Sequence, residues 1–346
     1  MHRSSSAGII IIAALAEFGC VRQKVELSDA HRLPSPDDIV MPTPEAAARG
    51  ADTITEIAMR NVDFHVDDDA RFEVRRLSGR IRALDGSHVV SFDDKNAVEI
   101  DMASAEVALT PKAMSLILNR YVFGFKGSPI RDLVITTDGD EIEQTGTMHK
   151  LIDIPFKMRA QLSVDTSGWI RVHPTKIEIC NLDGQKLLKA VGSSLEKMLD
   201  LRNGKGVKAE GNDLLIDALA SLPPPKIAGR LSAIRVANGK IIQTFGPATS
   251  TTVLAPPVDA QNYLYFRGGT IKFGKLYMVK ADLLTVDGDP ADPFDFYMDY
   301  YHTMLVNGYH VTLPNYGLVT YMPDFDDIGT ARGRIVAGGM RVGPGQ

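Results

Sequence analysis

IPFKMRAQLSV, residues 154 to 164, carries an apolar side chain at every second position, from Ile154 to Val164. Successive side chains of a β-strand point to opposite faces, so this stretch would place its apolar side chains on one face. The opposite face would carry Lys157, Arg159 and Gln161, which suit contact with water. One wet face and one covered face are typical of a strand in an antiparallel sheet. The stretch therefore predicts a strand whose apolar face needs a partner.

The same period of two recurs in much of the chain before residue 246. Alternating runs lie at 62–66, 77–83, 98–102 and 105–109, and two further strands are expected at 227–236 and 240–245. Residue pairs that favour tight turns separate several of these runs: Asp85-Gly86, Asp138-Gly139, Ser167-Gly168 and Asn238-Gly239. Together, the runs and turns predict an antiparallel sheet of many strands.

Helical patterns interrupt the strands. Thr110 is placed to cap a helix that starts at Pro111. A long amphipathic helix is expected over 185–201, because its apolar residues fall on one face. Shorter helices are expected over 212–219 and after Asp292-Pro293. We therefore expect an α+β fold, in which a twisted antiparallel β-sheet wraps around the long amphipathic helix, with a small β-rich C-terminal module.

Composition excludes some classes of protein. The chain has 346 residues and a net charge of −5, so it lacks the basic surface that nucleic-acid binding requires. The histidines are scattered, and no metal-binding, phosphate-binding or nucleophile motif is present. We therefore expect no cofactor, no metal and no enzymatic activity. The stretch 287–295 carries four aspartates without the spacing of a calcium loop, so we interpret it as a capped acidic turn and keep calcium as the alternative.

The N-terminus has the parts of an export signal. A short positive start is followed by an apolar run at 8–14 and then by small residues. Residues 1–20 are predicted to be a signal peptide that ends at Cys20, which would become a lipidated first residue. Residues 17 and 18 depart from the usual lipidation motif, so cleavage after Ala16 and a soluble exported form remain the alternative. Residues 21–50 read as a flexible tether. The expected location is the periplasm or outer membrane, on the membrane surface through a lipid anchor.

The stretch 206–246 carries a family resemblance. GVKAEGNDLLIDALASLPPPKIAGRLSAIRVANGKIIQTFG, preceded by LDGQKLL at 182–188, resembles the LmeA-like bacterial envelope family of phospholipid-binding proteins. That family belongs among the tubular lipid-binding, or TULIP-like, domains. The resemblance covers about residues 50–246 and implies a half-barrel wrapped on a helix, export, and a lipid as ligand. It carries no catalytic motif, and no site residue is transferred from it.

The C-terminal part differs from the rest. Residues 247–261 read as a linker after the predicted domain at 51–246, and 262–346 as an aromatic-rich module that contains all but one of the 10 tyrosines. Its first aromatic residues are expected on strands. No resemblance covers this module.

These features predict a non-catalytic protein that binds or shuttles a phospholipid-like lipid in an apolar groove. The residues expected to line the groove are inward-facing ones of the strand and of the long helix: Phe156, Met158, Leu162, Leu188, Val191 and Leu195. Two alternatives stay open: a scaffolding envelope lipoprotein with a solid core that binds an unknown protein, and an envelope hydrolase.

Overall fold

The fold is seen in a computed structural model that describes residues 54–66, 70–149, 152–179, 182–183, 194–220, 222–247, 254–330 and 333. Strands hold 54% of these residues and helices hold 12%. The fold is therefore mostly β, and the expected α+β fold with a sheet wrapped around a long helix is wrong.

The strands number 21 within the described part of the chain. Those before residue 184 are β1 (Thr55–His65), β2 (Arg71–Ala83), β3 (Val89–Ser91), β4 (Val98–Leu109), β5 (Ile130–Asp138), β6 (Glu141–His149), β7 (Asp153–Val164), β8 (Ile170–Ile179) and β9 (Leu182–Asp183). The next five are β10 (Val207–Glu210), β11 (Asp213–Ile216), β12 (Lys226–Ala228), β13 (Leu231–Ala237) and β14 (Lys240–Phe245). The last seven are β15 (Tyr263–Arg267), β16 (Thr270–Phe273), β17 (Leu276–Val279), β18 (Asp282–Asp287), β19 (Phe294–Tyr297), β20 (Tyr309–Thr312) and β21 (Leu318–Met322).

The helices of the described residues are short. The α-helices are α1 (Pro111–Ile117), α2 (Leu195–Met198) and α3 (Tyr301–Val306), and α1 continues as a π-helix at Leu118–Val122. Single 3₁₀ turns occupy Lys95–Ala97, Met298–Tyr300 and Phe325–Asp327. Within the described ranges, no helix has the length and apolar character that crossing a bilayer requires.

The largest sheet has eleven strands. Nine of them follow the order β13-β14-β4-β2-β1-β15-β18-β21-β20, while β12 pairs with β4 and β19 pairs with β1. The long strand β1 is antiparallel to both β2 and β15, and β19 runs parallel to its second half. Strands from before and after residue 247 thus share one hydrogen-bonded sheet.

A second sheet has seven strands in the order β10-β11-β8-β7-β6-β5, with β9 beside β8. The predicted strand at 154–164 is confirmed as β7, which pairs with β6 and β8 in antiparallel register. A small third sheet has the order β17-β16-β3.

The two large sheets face each other across one apolar core. Inward side chains from both sheets belong to the same cluster of buried residues, because each sheet has an apolar face to cover. The sheets approach closely at β13 and β7. Near this contact, the Arg230 guanidinium donates a hydrogen bond to the carbonyl oxygen of Thr166 at 2.7 Å. The apolar face of β7 is therefore covered in part by the other large sheet and in part by the short helix α2, whose Leu195 and Met198 line one space with Phe156 and Met158.

The predicted long helix is the main correction. Of the stretch 185–201, only Leu195–Met198 is helical in the described part, and Leu199 has extended backbone angles of φ −101° and ψ 119°. Residues 184–193, which include the predicted sites Leu188 and Val191, lie outside the described residues. The apolar spacing fits one helical face, but Leu195, Leu199 and Leu201 are buried without a continuous helix.

Two shorter predicted helices are also wrong. The stretch 212–219 contains strand β11, whose residues Leu214, Leu215 and Ile216 are all buried. A short run of consecutive apolar residues fits a strand covered on both faces as well as a helix. After Pro293, the chain forms strand β19 and a 3₁₀ turn before α3 begins at Tyr301. By contrast, the helix at Pro111 is confirmed, with Thr110 Oγ1 accepting the N–H of Ala113 at 3.1 Å.

The first aromatic residues after residue 262 belong to a strand of the eleven-stranded sheet, and their side chains are buried. Tyr263, Tyr265 and Phe266 lie on β15 as predicted, and all three are buried. Tyr263 and Tyr265 belong to a separate cluster on the far side of the large sheet, which Leu254 and Val258 help to cover. This part of the large sheet is thus covered on both faces. Residues 248–253 of the predicted linker lie outside the described residues.

Candidate functional site

A cavity of about 110 Å³ lies between the two large sheets. It is much larger than the roughly 10–15 Å³ that one water molecule needs. The eleven-stranded sheet supplies lining residues from β1, β2, β4, β12, β13 and β14, and the seven-stranded sheet supplies them from β5, β6, β7, β8 and β11. Helix α1 and its π-helical continuation add Met114, Ile117 and Leu118. The apolar core between the two sheets therefore contains a space that no side chain fills.

The walls of this large cavity are almost entirely apolar. Of the described residues that line it, only Gln144, Asp217 and Gln243 are polar, and none is a lysine, arginine or histidine. The other lining residues are aliphatic side chains, methionines and phenylalanines. Such a surface suits an apolar ligand, because it offers dispersion contacts and few groups that would hold water.

Gln144 and Gln243 lie on different sheets, and both line the large cavity. Gln144 lies on β6 and Gln243 on β14, and their exposed fractions are 4% and 6%. Neither side-chain amide is hydrogen-bonded to a described residue. Buried amides are normally paired, so these two are unusual polar points in an apolar wall.

A second cavity of about 40 Å³ adjoins the first. Gln144 and Leu214 line both cavities, so the two spaces meet at these side chains. The smaller cavity is otherwise apolar and is bounded by residues of β7, β8 and helix α2. Gln144 thus stands between two apolar spaces.

The connection after β11 forms a partly exposed side of the large cavity. Asp217, Ala218, Leu219 and Leu222 all line it and are half-buried. Asp217 Oδ1 accepts the N–H groups of Leu219 and Ala220 at 3.0 and 3.2 Å, which holds this turn in place. We regard this connection as the side on which the cavity wall reaches the surface.

The predicted groove residues fall into three groups. Leu162 lines the large cavity. Phe156, Met158 and Leu195 line the small cavity. Leu188 and Val191 lie outside the described residues, as does Cys20. The strand β7 thus contributes to both cavities, on the face that its alternation marks as apolar.

Sequence reasoning missed the wall supplied by the eleven-stranded sheet and both glutamines. A signal for the glutamines was present. Gln144 follows Ile142 at a spacing of two, and Gln243 stands between Ile241 and Phe245. In each strand, a polar residue occupies a position whose neighbours on the same face are apolar and line the cavity. A polar residue at an inward position is the pattern that marks such a site.

The acidic stretch 287–295 forms a turn. Asp287 Oδ1 accepts the N–H of Asp289 at 2.7 Å, and Asp289 Oδ1 accepts the N–H of Ala291 at 3.2 Å. The Asp295 side chain pairs with His65 at 2.7 Å, and its backbone N–H donates to Asp324 Oδ1 at 2.9 Å. Carboxylate oxygens lie within 4.8 Å of one another in each of two sets of three residues. The sets are Asp287, Asp292 and Asp324, and Asp289, Asp324 and Asp327. The hydrogen bonds support the interpretation as a capped turn, and we assign no metal to it.

The histidine–carboxylate pairs of the described residues lie outside the lining of both cavities. They are His65–Asp295, His149–Asp153, His173–Asp213 and His302–Asp93. None of these residues lines either cavity. The groups best suited to proton transfer are therefore separate from the apolar space.

Comparison with known proteins gives no relative for this chain. No protein-family model, no curated protein and no solved structure matches it significantly. The resemblance to the LmeA-like family stays a prediction, and function must be argued from the cavity itself.

Proposed function

We propose that this protein binds the acyl chain of a lipid in the cavity between its two large sheets, without converting it chemically. The observation that carries this proposal is the large cavity itself, whose walls are apolar on both sheets. Apolar cavities of comparable size, roughly 150 Å³, stay dry and take up molecules about as large as benzene. The cavity would therefore hold a short segment of an acyl chain, with the rest extending past the half-buried connection after β11. Each methylene group moved from water into such a space contributes about 0.8 kcal/mol.

The cavity favours this function over the alternatives. A scaffolding protein needs a solid core, and a cavity of about 110 Å³ is a cost in stability that such a role does not require. A hydrolase needs a proton-transfer group near its substrate. None of the histidine–carboxylate pairs of the described residues lines the cavity. The one carboxylate in its described lining, Asp217, already accepts two backbone N–H groups.

The proposed location is the cell envelope. It rests on the export signal, with Cys20 as the lipidated residue and a soluble form cleaved after Ala16 as the alternative. Mass spectrometry of the N-terminal peptide of the expressed protein distinguishes a diacylated Cys20 from a free N-terminus at Glu17. An N-terminus that keeps residues 1–16 would contradict export.

A fluorescent dye tests the binding proposal. We expect the full chain to bind N-phenyl-1-naphthylamine saturably, because this dye becomes fluorescent in apolar surroundings, and we expect palmitic acid esters to displace it. Leu162→Trp adds bulk inside the large cavity and is expected to weaken dye binding at least tenfold.

The matched control is Gln161→Trp, which adds the same side chain to the exposed face of the same strand. This variant should bind dye like the original protein. Thermal unfolding checks that both variants are folded. The proposal is wrong if the folded protein shows no saturable binding, or if Leu162→Trp and Gln161→Trp bind equally well.

A further inference from the structure

The side-chain amides of Gln144 and Gln243 indicate which polar group the ligand carries, which the cavity volume alone does not. Gln144 and Gln243 are more than nine-tenths buried, line the large cavity, and make no side-chain hydrogen bond to a described residue. Their amide atoms are not among the side-chain atoms that are both fully enclosed and unpaired, so they face the cavity space. An amide that faces an apolar space without a partner still costs free energy. An apolar residue at either position would avoid this cost. A bound molecule that pairs with the amides would offset it.

The charges around the cavity limit what that molecule can carry. Its described lining contains no lysine, arginine or histidine, and its one ionisable residue is Asp217. An anionic group inside would have no counter-charge, and a buried unpaired charge is strongly disfavoured. The amides of Gln144 and Gln243 instead offer both donors and acceptors to an uncharged polar group.

The position of Gln144 limits where the polar group lies in the ligand. Gln144 lines both the large and the small cavity, so apolar space extends on two sides of its amide. A polar group at the end of a chain would leave one of these spaces empty. A polar group with an apolar arm on each side would fill both.

We propose that the ligand is an uncharged acyl ester, with its ester group beside Gln144 and its two arms in the two cavities. This inference rests on the proposed function and names the class of lipid for the same site. The Gln144 amide N–H donates to the ester carbonyl oxygen. Gln243, on the facing sheet, offers a second amide to a free hydroxyl where the ester carries one, as in an acylglycerol.

Three ligands of matched chain length test this class. They are ethyl palmitate (an ester), octadecane (a hydrocarbon) and hexadecyl phosphate (an anion), each delivered from cyclodextrin and measured by displacement of N-phenyl-1-naphthylamine. A neutral hydrogen bond is worth about three- to tenfold in affinity. We therefore expect the ester to bind about three- to tenfold more tightly than octadecane, and hexadecyl phosphate to bind more weakly than the ester.

Substitution of the amide identifies the residue. Gln144→Met keeps the length of the side chain and removes its donors and acceptor, so we expect the ester's advantage over octadecane to fall below about twofold, while octadecane binds at least as tightly as before. Gln161→Met is the matched control, because it removes an exposed amide from the neighbouring strand β7. That variant should keep the full preference.

The outcomes distinguish failure of the ester assignment from failure of the proposed lipid-binding function. If none of the three ligands binds the folded protein, the proposed lipid-binding function fails. If all three bind and the ester has no advantage over octadecane, or if Gln144→Met leaves that advantage unchanged, binding stands and the assignment of the ester is wrong. Tighter binding of hexadecyl phosphate than of the ester also overturns the uncharged class.

Discussion

Asp324 shows how a single residue can make stability depend on pH. Its side chain is buried, and its Oδ1 accepts the N–H of Asp295 at 2.9 Å. Burial, together with the negative charges of Asp287, Asp292 and Asp295, raises the pKa of this carboxyl to about 8, against the opposing effect of that hydrogen bond. The folded state therefore prefers the protonated form, whereas the unfolded chain has a pKa near 3.8.

The sign of the effect follows from this difference. The stabilisation that Asp324 gives is complete below pH 4 and is lost as the pH rises toward 8. Asp324→Asn keeps the acceptor and stays neutral, so we expect the variant to gain stability relative to the original protein between pH 5 and pH 8. The gain should be at most about 1.4 kcal/mol per pH unit, measured as the free energy of unfolding in urea.

The exposed neighbour Asp326 supplies the control for this prediction. Asp326→Asn should change stability by a similar amount at both pH values. Equal effects of Asp324→Asn at pH 5 and pH 8 would contradict the assignment.

At the scale of elements, the β10–β11 hairpin forms where the sequence predicts a helix over 212–219. The tip of this hairpin caps the start of helix α2. Asn212 lies between β10 and β11, and its Oδ1 accepts the N–H of Leu195 at 3.1 Å. The Gly211 N–H donates to Glu196 Oε2, and the Glu196 N–H donates to the Gly211 carbonyl, both at 3.0 Å. The tip of the hairpin thus holds the start of α2, whose Leu195 and Met198 line the small cavity.

We expect Asn212→Ala to lower the free energy of unfolding by about 1 kcal/mol, because the Leu195 N–H loses its acceptor. Asn212→Asp keeps an oxygen at this position and should retain most of the stability. Urea unfolding measures both variants. A loss in Asn212→Asp as large as that in Asn212→Ala would show that the cap contributes nothing.

The success of sequence prediction at this scale followed the strength of the local signal. Strand β7 was predictable because an apolar residue recurs at every second position from Ile154 to Val164. The β13–β14 turn was predictable because its residues, Asn238 and Gly239, favour the positive φ that they adopt, 53° and 71°. Helix α1 was predictable from its cap. Asn212 has the residue type of a helix cap, but the helix that it caps lies earlier in the chain, and no local pattern reveals a capping contact of that kind.

At the scale of the whole molecule, the cavity depends on contacts between distant segments. Strand β1 pairs with β15 in the register Ile57↔Phe266, and β14 pairs with β4 in the register Gln243↔Val107. The alternation shows that each sheet has an apolar face, but not which element covers it. For that reason, the sequence predicted a helix as the partner of β7, and the second sheet was missed.

Affinity should depend on the length of the bound chain. We expect each added methylene in a series of ethyl esters to tighten binding about fourfold, because about 0.8 kcal/mol is gained per buried methylene. The gain should stop once the two cavities are full. Displacement of the dye by esters of increasing chain length measures the slope. A slope of zero across the whole series would mean that the chain is not buried.

Native mass spectrometry of the full chain, combined with lipid extraction of the same sample, tests the central claim most directly. The account predicts an uncharged lipid that co-purifies at about one molecule per chain, is retained by Gln161→Trp and is lost in Leu162→Trp. A lipid-free mass for the folded protein, with no lipid gained after incubation with acylglycerol-containing vesicles, would contradict it.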